Sequence, residues 1–275
     1  VRIKPDFASD ALSNTLQKGQ SIPLKLVFSS DKIIYPLKLS PIKIKRSVVD
    51  TGVPDFVEGK FGKAVRVVGG AHLKTDISNS DFSAGGAMMW VRGDSSFFAS
   101  GNTDLFRVQP AGQSLSLSDT AAGNRVYARI SGGYLSFHYV SQDRNWGSQW
   151  TYANIPWRYG GWNHVVLNWS RDKVPELYVN GLRQTTSLTA TVPQPFRKIP
   201  SADLFIGTPS YVYAQQKQFD LDEFSYQDAP FSTAEISEAQ RAAPAFSEGT
   251  YVLAHFNDDI TYEKSPDGHE ASFQL

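Results

Sequence analysis

The chain has 275 residues and carries 27 basic and 27 acidic side chains, so its formal net charge is zero. That neutrality argues against a generally basic nucleic-acid binder and against a protein drawn electrostatically to anionic membranes. No apolar run approaches the roughly 20 residues of a membrane-spanning helix, and the absence of cysteine excludes disulfides, thiolate metal sites and cysteine nucleophiles. Aromatic residues at 13% and charged residues at 20% are a globular composition. The chain opens on Val1 with neither an initiator methionine nor a leader, and reads as a processed or excised piece.

The charge is uneven. Residues 1–50 hold 9 basic and 4 acidic groups, and residues 201–275 hold 3 and 13. Either the oppositely charged ends pack near one another, or the acidic end forms a cation-binding rim or an assembly surface; charge alone does not choose.

In chain order, residues 21–46 alternate apolar and polar positions, through Ile22, Leu24, Leu26 and Phe28 and then Leu37, Leu39, Ile42 and Ile44. Lysines fill many of the intervening places, and Pro23, Pro36 and Pro41 suit edge strands. Residues 1–48 are therefore expected to be a strand-rich arm or small subdomain, and residues 49–275 the main body. From residue 50 onward, short strands are predicted at Ala64–Val68, Gly86–Val91, Ser96–Ser100, Leu105–Gln109, Arg125–Ile130, Tyr134–Val140, Trp162–Trp169, Glu176–Val179, Leu204–Ile206 and Phe219–Tyr226. Asn180-Gly181 and the glycine pairs at 132–133 and 160–161 mark turns between them. This spacing predicts an all-β antiparallel sandwich. One short helix is expected after Ser232, where Ser232 and Glu235 form a capping box and Pro244 stops the run.

Four stretches in order carry a family resemblance. They are Gly52–Val65 with the following Gly69-Gly70; Gly86-Ala-Met-Met-Trp-Val91; Trp162-Asn-His-Val165 with Leu177-Tyr-Val-Asn-Gly181; and Phe219-Asp-Leu-Asp-Glu-Phe224 with the helix start after it. Together they resemble the laminin-G-like, concanavalin A-like lectin/glucanase superfamily over about residues 50–240. The resemblance implies a jelly-roll sandwich. Residues 250–275, with Val252-Leu-Ala-His-Phe-Asn257 and Ser265-Pro-Asp-Gly-His269, look like the segment that usually opens such a domain. Either they are permuted strands of the same sandwich or they begin a second repeat.

Catalysis finds little support in the residues. A retaining glycosidase needs two carboxylates about 5–5.5 Å apart, and Asp220-Leu-Asp222-Glu223 sends Glu223 to the opposite face of a strand from Asp220 and Asp222. No nucleophile elbow, P-loop or metalloprotease helix is present, and the five histidines lack metal-ligand spacing. His164 reads as a satisfied core or packing residue. Trp90, Trp162 and Trp169 read as core, and the Asn168-Trp-Ser170 sequon as fortuitous.

Binding is better supported. The loop 141–159 mixes aromatic rings with planar polar groups, the combination that sugar faces and hydroxyls require. The candidate ligand residues are Arg144, Asn145, Trp146, Trp150, Tyr152 and Trp157; the alternative is that the tryptophans only anchor the loop. The resemblance also implies a structural Ca2+ held by Asp222, Gly69 or Gly70, and Asn257 or Asp258, with Asp222 as a mere cap or ion-pair member as the alternative.

The expected function is a non-catalytic surface-binding or adhesion module outside the cytoplasm, recognising a glycan or a protein. A structural virion, tail-fibre or decoration protein, with homo-oligomer or assembly partners, is the alternative. An atypical polysaccharide hydrolase or lyase is the third reading.

Overall fold

A computed structural model describes residues 55–68, 72–80, 83–100, 102–113, 125–140, 148–152, 154–170, 173–189, 199–209, 218–245, 250–257, 261–264 and 269–272. The arm expected over residues 1–48 lies outside them. The chain divides into two units, and the second, Val48–Leu275, holds every described strand and helix.

The described residues form two antiparallel sheets. The larger one contains β1 (Asp55–Glu58), β2 (Lys63–Val67), β4 (Ala84–Arg92), β9 (Trp162–Ser170), β10 (Glu176–Val179), β11 (Leu182–Arg183), β14 (Phe219–Gln227), β15 (Thr250–Ala254), β16 (Thr261–Lys264) and β17 (His269–Ser272), in the order β11-β10-β9-β4-β14-β15-β16-β17. The β1–β2 hairpin joins it through β2, which pairs with the first part of β14, while β15 pairs with the second part. Residues 250–254 thus add a strand to this same sheet. The seven-stranded sheet has the order β12-β8-β7-β6-β5-β13-β3. Its strands are β3 (Leu73–Ser80), β5 (Asn102–Pro110), β6 (Arg125–Ser131), β7 (Tyr134–Val140), β8 (Ser148–Tyr152), β12 (Thr186–Thr189) and β13 (Ile199–Pro209).

Period-two alternation puts one set of side chains from each sheet into a shared core. Val65, Met89, Val91, Val165, Leu167, Leu221 and Phe224 meet Phe106, Val108, Val126, Ala128, Phe137, Leu204 and Ile206, all fully or nearly fully buried. The aromatic cluster of Phe106, Phe137, Trp169 and Tyr226 packs between them. The outer face of the large sheet carries a second, smaller core. There Met88 and Val166 meet Phe231, Ile236 and Ala239 around helix α2 (Thr233–Glu238). Gly85 and Gly86 make both contacts possible. A Cβ on Gly85 would lie 2.4 Å from the Trp169 ring, and one on Gly86 would lie 2.6 Å from the Phe231 ring.

Helix α2 has the capping box read from its sequence: the Glu235 amide donates to Ser232 Oγ (3.2 Å) and the Ser232 amide to Glu235 Oε2 (2.7 Å). The strand expected at Ser96–Ser100 is instead helix α1 (Ser95–Ser100). Asp94 starts it by accepting the Phe97 amide (2.8 Å) and the Ser96 hydroxyl (2.8 Å), and this side-chain capping outweighs the strand preference of Phe97-Phe98. Part of the stretch expected as loop, Ser148–Tyr152, is strand β8, paired with β7 and β12. Among the described residues, no helix is long and apolar enough to cross a membrane.

Candidate functional site

Of the expected ligand residues, Arg144, Asn145 and Trp146 lie outside the described residues. Trp150 sits on β8 opposite Phe137. Tyr152 and Trp157 are corrected by their surroundings. Tyr152 is fully buried in the core and its hydroxyl donates to the Pro175 carbonyl (2.7 Å), so it has no face left for a ligand. Trp157 stacks on buried Phe98 at 4.5 Å between ring centres, which makes it a loop anchor.

Of the residues expected to hold calcium, Asp222 and Asn257 meet at the turn between β1 and β2. Gly69, Gly70 and Asp258 lie outside the described residues. Asp222, with no exposed surface, accepts the Lys60 and Phe61 amides on Oδ2 (2.7 and 3.1 Å) and the Glu223 amide on Oδ1 (2.9 Å). Asn257 Oδ1 accepts the Lys63 amide (2.9 Å). The turn can approach this closely because residue 59 is glycine: a Cβ there would stand 2.6 Å from Asp222 Oδ2. Calcium needs six to eight oxygens with lone pairs to give. Here three N–H donors already occupy the Asp222 carboxylate, and among the described residues no group of three or more metal-ligating side chains exists. The described pair does not fit a calcium cage; it clamps a turn. Burial pushes the Asp222 carboxyl up to about 7 against the pull of its amide donors.

The rest of the acidic run is equally committed. Asp220 receives Arg66 Nε on one oxygen (2.7 Å) and Arg92 Nε on the other (2.9 Å). Glu223 sits at a register shift of β14 with φ of 51° and pairs with His255. Asn168, the sequon asparagine, is spent on both backbone groups of Phe231. His164 is a buried packing residue, one of the two roles expected for it, and its ring nitrogens are not hydrogen-bonded. The ring lies against Trp90 at 4.9 Å, and burial pulls its pKa down to about 4. Trp90 and Trp169 are buried; Trp162 is half-buried under the Arg92 guanidinium at 4.5 Å.

The densest polar assembly lies elsewhere, on the face of the seven-stranded sheet turned away from the core. In β6, Val126, Ala128 and Ile130 point inward, so Arg125, Tyr127 and Arg129 point outward. Directly opposed pairs extend the row across five strands, from Lys74 on β3 through Phe205 and Arg107 to Tyr127 and His138. Simple alternation would separate Asp104 from Arg107. A bulge between Asp104 and Phe106 brings them to one face, with Asp104 opposite Arg129.

Asp104 is the hub. It accepts Arg107 Nε (2.8 Å), makes a second contact with Arg107 Nη2, and accepts Arg129 Nε on its other oxygen (2.7 Å). The Arg107 and Arg129 guanidiniums lie 5.0 and 4.8 Å from the Tyr127 ring centre, and His138 stacks on that ring at 4.4 Å. Lys74 and Asp203 pair with each other at 3.1 Å, next along the face. Arg125 differs from its neighbours. It is 8% exposed, yet its Nε and Nη1 are buried without a hydrogen-bond partner. Burial and the adjacent Arg107 pull its pKa down. His138 adds no charge, since burial and then Arg129 press its pKa to about 3, and burial raises that of the Tyr127 phenol. Among the described residues the face thus carries Lys74, Arg107, Arg125 and Arg129 together with Asp76, Asp104 and Asp203, and Asp104 is the carboxylate that joins Arg107 to Arg129.

Strand periodicity alone passes over this face. Its signal lies in Arg125-Val-Tyr-Ala-Arg129, where every outward place of the strand is cationic or aromatic. The position of Asp104 needs the bulge, which no local pattern announces.

Comparison with known proteins agrees with this architecture. A laminin-G family model described as the concanavalin A-like lectin/glucanases superfamily matches residues 75–237. No curated protein matches the chain. Among solved structures, the receptor binding domain of botulinum neurotoxin C/D mosaic serotype is similar with a TM-score of 0.50 and 11% identity, covering 80% of this chain and 55% of that one. Domain 4 of AbnA, a GH43 extracellular arabinanase from Geobacillus stearothermophilus, in complex with arabinotriose, gives 0.48 and 13%, covering 69% and 82%. The binding domain of Paraclostridial Mosquitocidal Protein 1 gives 0.48 and 16%, covering 69% and 45%. The chain spans about half the length of the first and last of these. With the sandwich and the family model in agreement, the chain belongs to the concanavalin A-like lectin/glucanase superfamily.

Proposed function

We propose that this chain is a non-catalytic surface-binding module, acting outside the cytoplasm, that recognises a glycan or protein partner on the outer face of its seven-stranded sheet. The observation that carries the reading is the row of arginine and aromatic side chains there, in which buried Nε and Nη1 of Arg125 lack a hydrogen-bond partner. A buried charge without a counter-ion is costly, and a protein keeps such an arrangement where a ligand completes it. The opposite observation speaks against hydrolysis. Asp220, Asp222 and Glu223 are each engaged by their own arginine, amide or histidine partners, so this acidic run offers no free pair of carboxylates to flank a glycosidic bond. Membership of a superfamily that includes both lectins and glucanases supports the fold and leaves function to the site.

The test is a panel of glycans and extracellular-matrix or cell-surface proteins probed with the whole chain, with polysaccharide cleavage assayed on the same samples. Saturable binding without product release is expected. Cleavage that disappears on Asp220→Asn or Asp222→Asn would overturn the non-catalytic reading, and silence over the whole panel would overturn binding.

A further inference from the structure

We infer that the cavity between helix α2 and the large sheet is a lysine pocket, which takes the ammonium group and aliphatic stem of a lysine side chain on a protein partner. It belongs to the other sheet from the face assigned above, and neither site needs the other. The cavity measures about 230 Å³. Its floor comes from the strands: Met88 on β4 stands opposite Ser225 on β14, Gln227 lies two places further on, and Thr250 pairs with it at the start of β15. Tyr226 between them points into the main core, so Ser225 and Gln227 point outward and line the cavity. Phe231 and the stretch Ala243–Ala245 supply the apolar part of the lining, and Glu235 and Glu238 of α2 the acidic part.

Two independent observations point to a cationic donor. The first is on the floor. Ser225 is 4% exposed and its hydroxyl bonds no described residue; Gln227 is 5% exposed and gives its Nε2 to the Ala229 carbonyl (2.9 Å), which leaves Oε1 to accept. The second is charge. Glu235 and Glu238, three residues apart, share one side of α2, and among the described residues neither makes an ion pair. Glu235 accepts the Ser232 amide, and Arg241 beyond the helix is turned onto Ser237 Oγ (2.8 Å). No lysine, arginine or histidine lines the cavity. An ammonium group has N–H donors only and matches such a set of acceptors. Calcium does not: it wants six to eight oxygens, no group of three metal-ligating side chains exists among the described residues, and the apolar lining would serve it nothing. An amino sugar would press hydroxyls against Met88, Phe231 and Pro244, where they would lose hydrogen bonds. The lysine stem has no polar group and lies well along apolar surface. The site is also preorganised. Phe231 is pinned by both its backbone bonds to Asn168 and α2 by its capping box, so little ordering cost falls on binding.

The experiment titrates the whole chain, near neutral pH at fixed ionic strength, with Nα-acetyl-lysine methylamide, its norleucine analogue (a similar stem without the ammonium), glucosamine and calcium chloride. Amide chemical shifts and melting temperature are read. The lysine compound is expected to give saturable shifts at Met88, Ser225, Gln227 and α2, and the other three none. Ser225→Ala should weaken this binding roughly 10-fold, the equivalent of one charged hydrogen bond, and melt like wild type because the hydroxyl bonds nothing in the free protein. Glu238→Gln should weaken it roughly 2- to 5-fold, as befits an exposed carboxylate, with the fold intact because Glu238 is outside the capping box. Absence of shifts with the lysine compound would overturn the inference, as would equal binding of the norleucine analogue or unchanged affinity in both variants. A response to glucosamine alone would make the occupant an amino saccharide, and a response to calcium alone a metal ion; either would overturn the lysine assignment.

Discussion

Asp104→Asn is the substitution that most severely tests the electrostatics of the outer face. Asparagine has the same shape, so no cavity opens, but a carboxylate that serves both Arg107 and Arg129 disappears and an amide N–H₂ is turned toward guanidinium donors. All three side chains are at most 7% exposed, so water offers little compensation. Removing one member of a buried ion pair costs about 3–5 kcal/mol because the remaining charge is stranded. With two arginines losing their Asp104 bonds at once the upper end is expected, a fall in melting temperature of roughly 10–20 °C for a domain of this size. Urea unfolding followed by tryptophan fluorescence reads it, since Trp169 lies in the core. The same physics requires the opposite sign for Arg125→Gln, which relieves repulsion from Arg107 without breaking a hydrogen bond. A loss below about 1 kcal/mol for Asp104→Asn, the range of an ordinary surface change, would refute the reasoning. So would a loss of equal size for Arg125→Gln.

Other expectations concern the turn clamp, the core and the histidines. Asp222→Ala strands the amides of Lys60, Phe61 and Glu223 and is expected to cost about 3–5 kcal/mol, taking at least 1 kcal/mol per unsatisfied donor. The wild-type melt should be the same in calcium and in chelator, and a chelator-dependent drop would show that a cation shares the clamp. Tyr152→Phe should lose about 0.5–1.5 kcal/mol with its bond to the Pro175 carbonyl and leave ligand affinity unchanged; weakened ligand binding would return Tyr152 to the site. The native state holds His164 neutral down to about pH 4, whereas the unfolded chain protonates it near 6.5. The unfolded state therefore binds more protons in that window, and His164 removes stability as the pH falls through it, at most about 1.4 kcal/mol per pH unit. Asp222 and Glu223, raised by burial, act in the opposite sense. The measurement is accordingly the difference between His164→Gln and wild type, which should move in the variant's favour from pH 6.5 to 4; a constant difference would contradict the burial argument.

The large-sheet strands are legible in the sequence because each carries its own evidence. The apolar runs in Gly86–Val91 and Trp162–Trp169 mark strands covered on both faces, and the Ser232–Glu235 box starts α2 without help from distant residues. The departures share a physical cause, dependence on a partner remote in sequence or on one side chain outside the pattern. Phe97-Phe98 reads as strand until Asp94 caps the turn before it. Ser148–Tyr152 becomes a strand because β7 and β12 flank it, not because its residues alternate clearly. Asp222 and Asn257 do meet at one place, but nothing in the sequence signals that the groups facing them are amide donors rather than carbonyl acceptors. The arginine face is hidden for a related reason. Arg125, Tyr127 and Arg129 show only alternation in the sequence, and their significance depends on Asp104 being carried to the same face by the bulge in β5.

The most direct test of the central claim is a crystal structure of the whole chain with the saccharide that binds it. The account predicts the ligand on the outer face of β5, β6 and β7, with the Asp104 ion pairs intact. A ligand seated on the large sheet or at a loop tip, with Arg125 unchanged and still unpartnered, would contradict it.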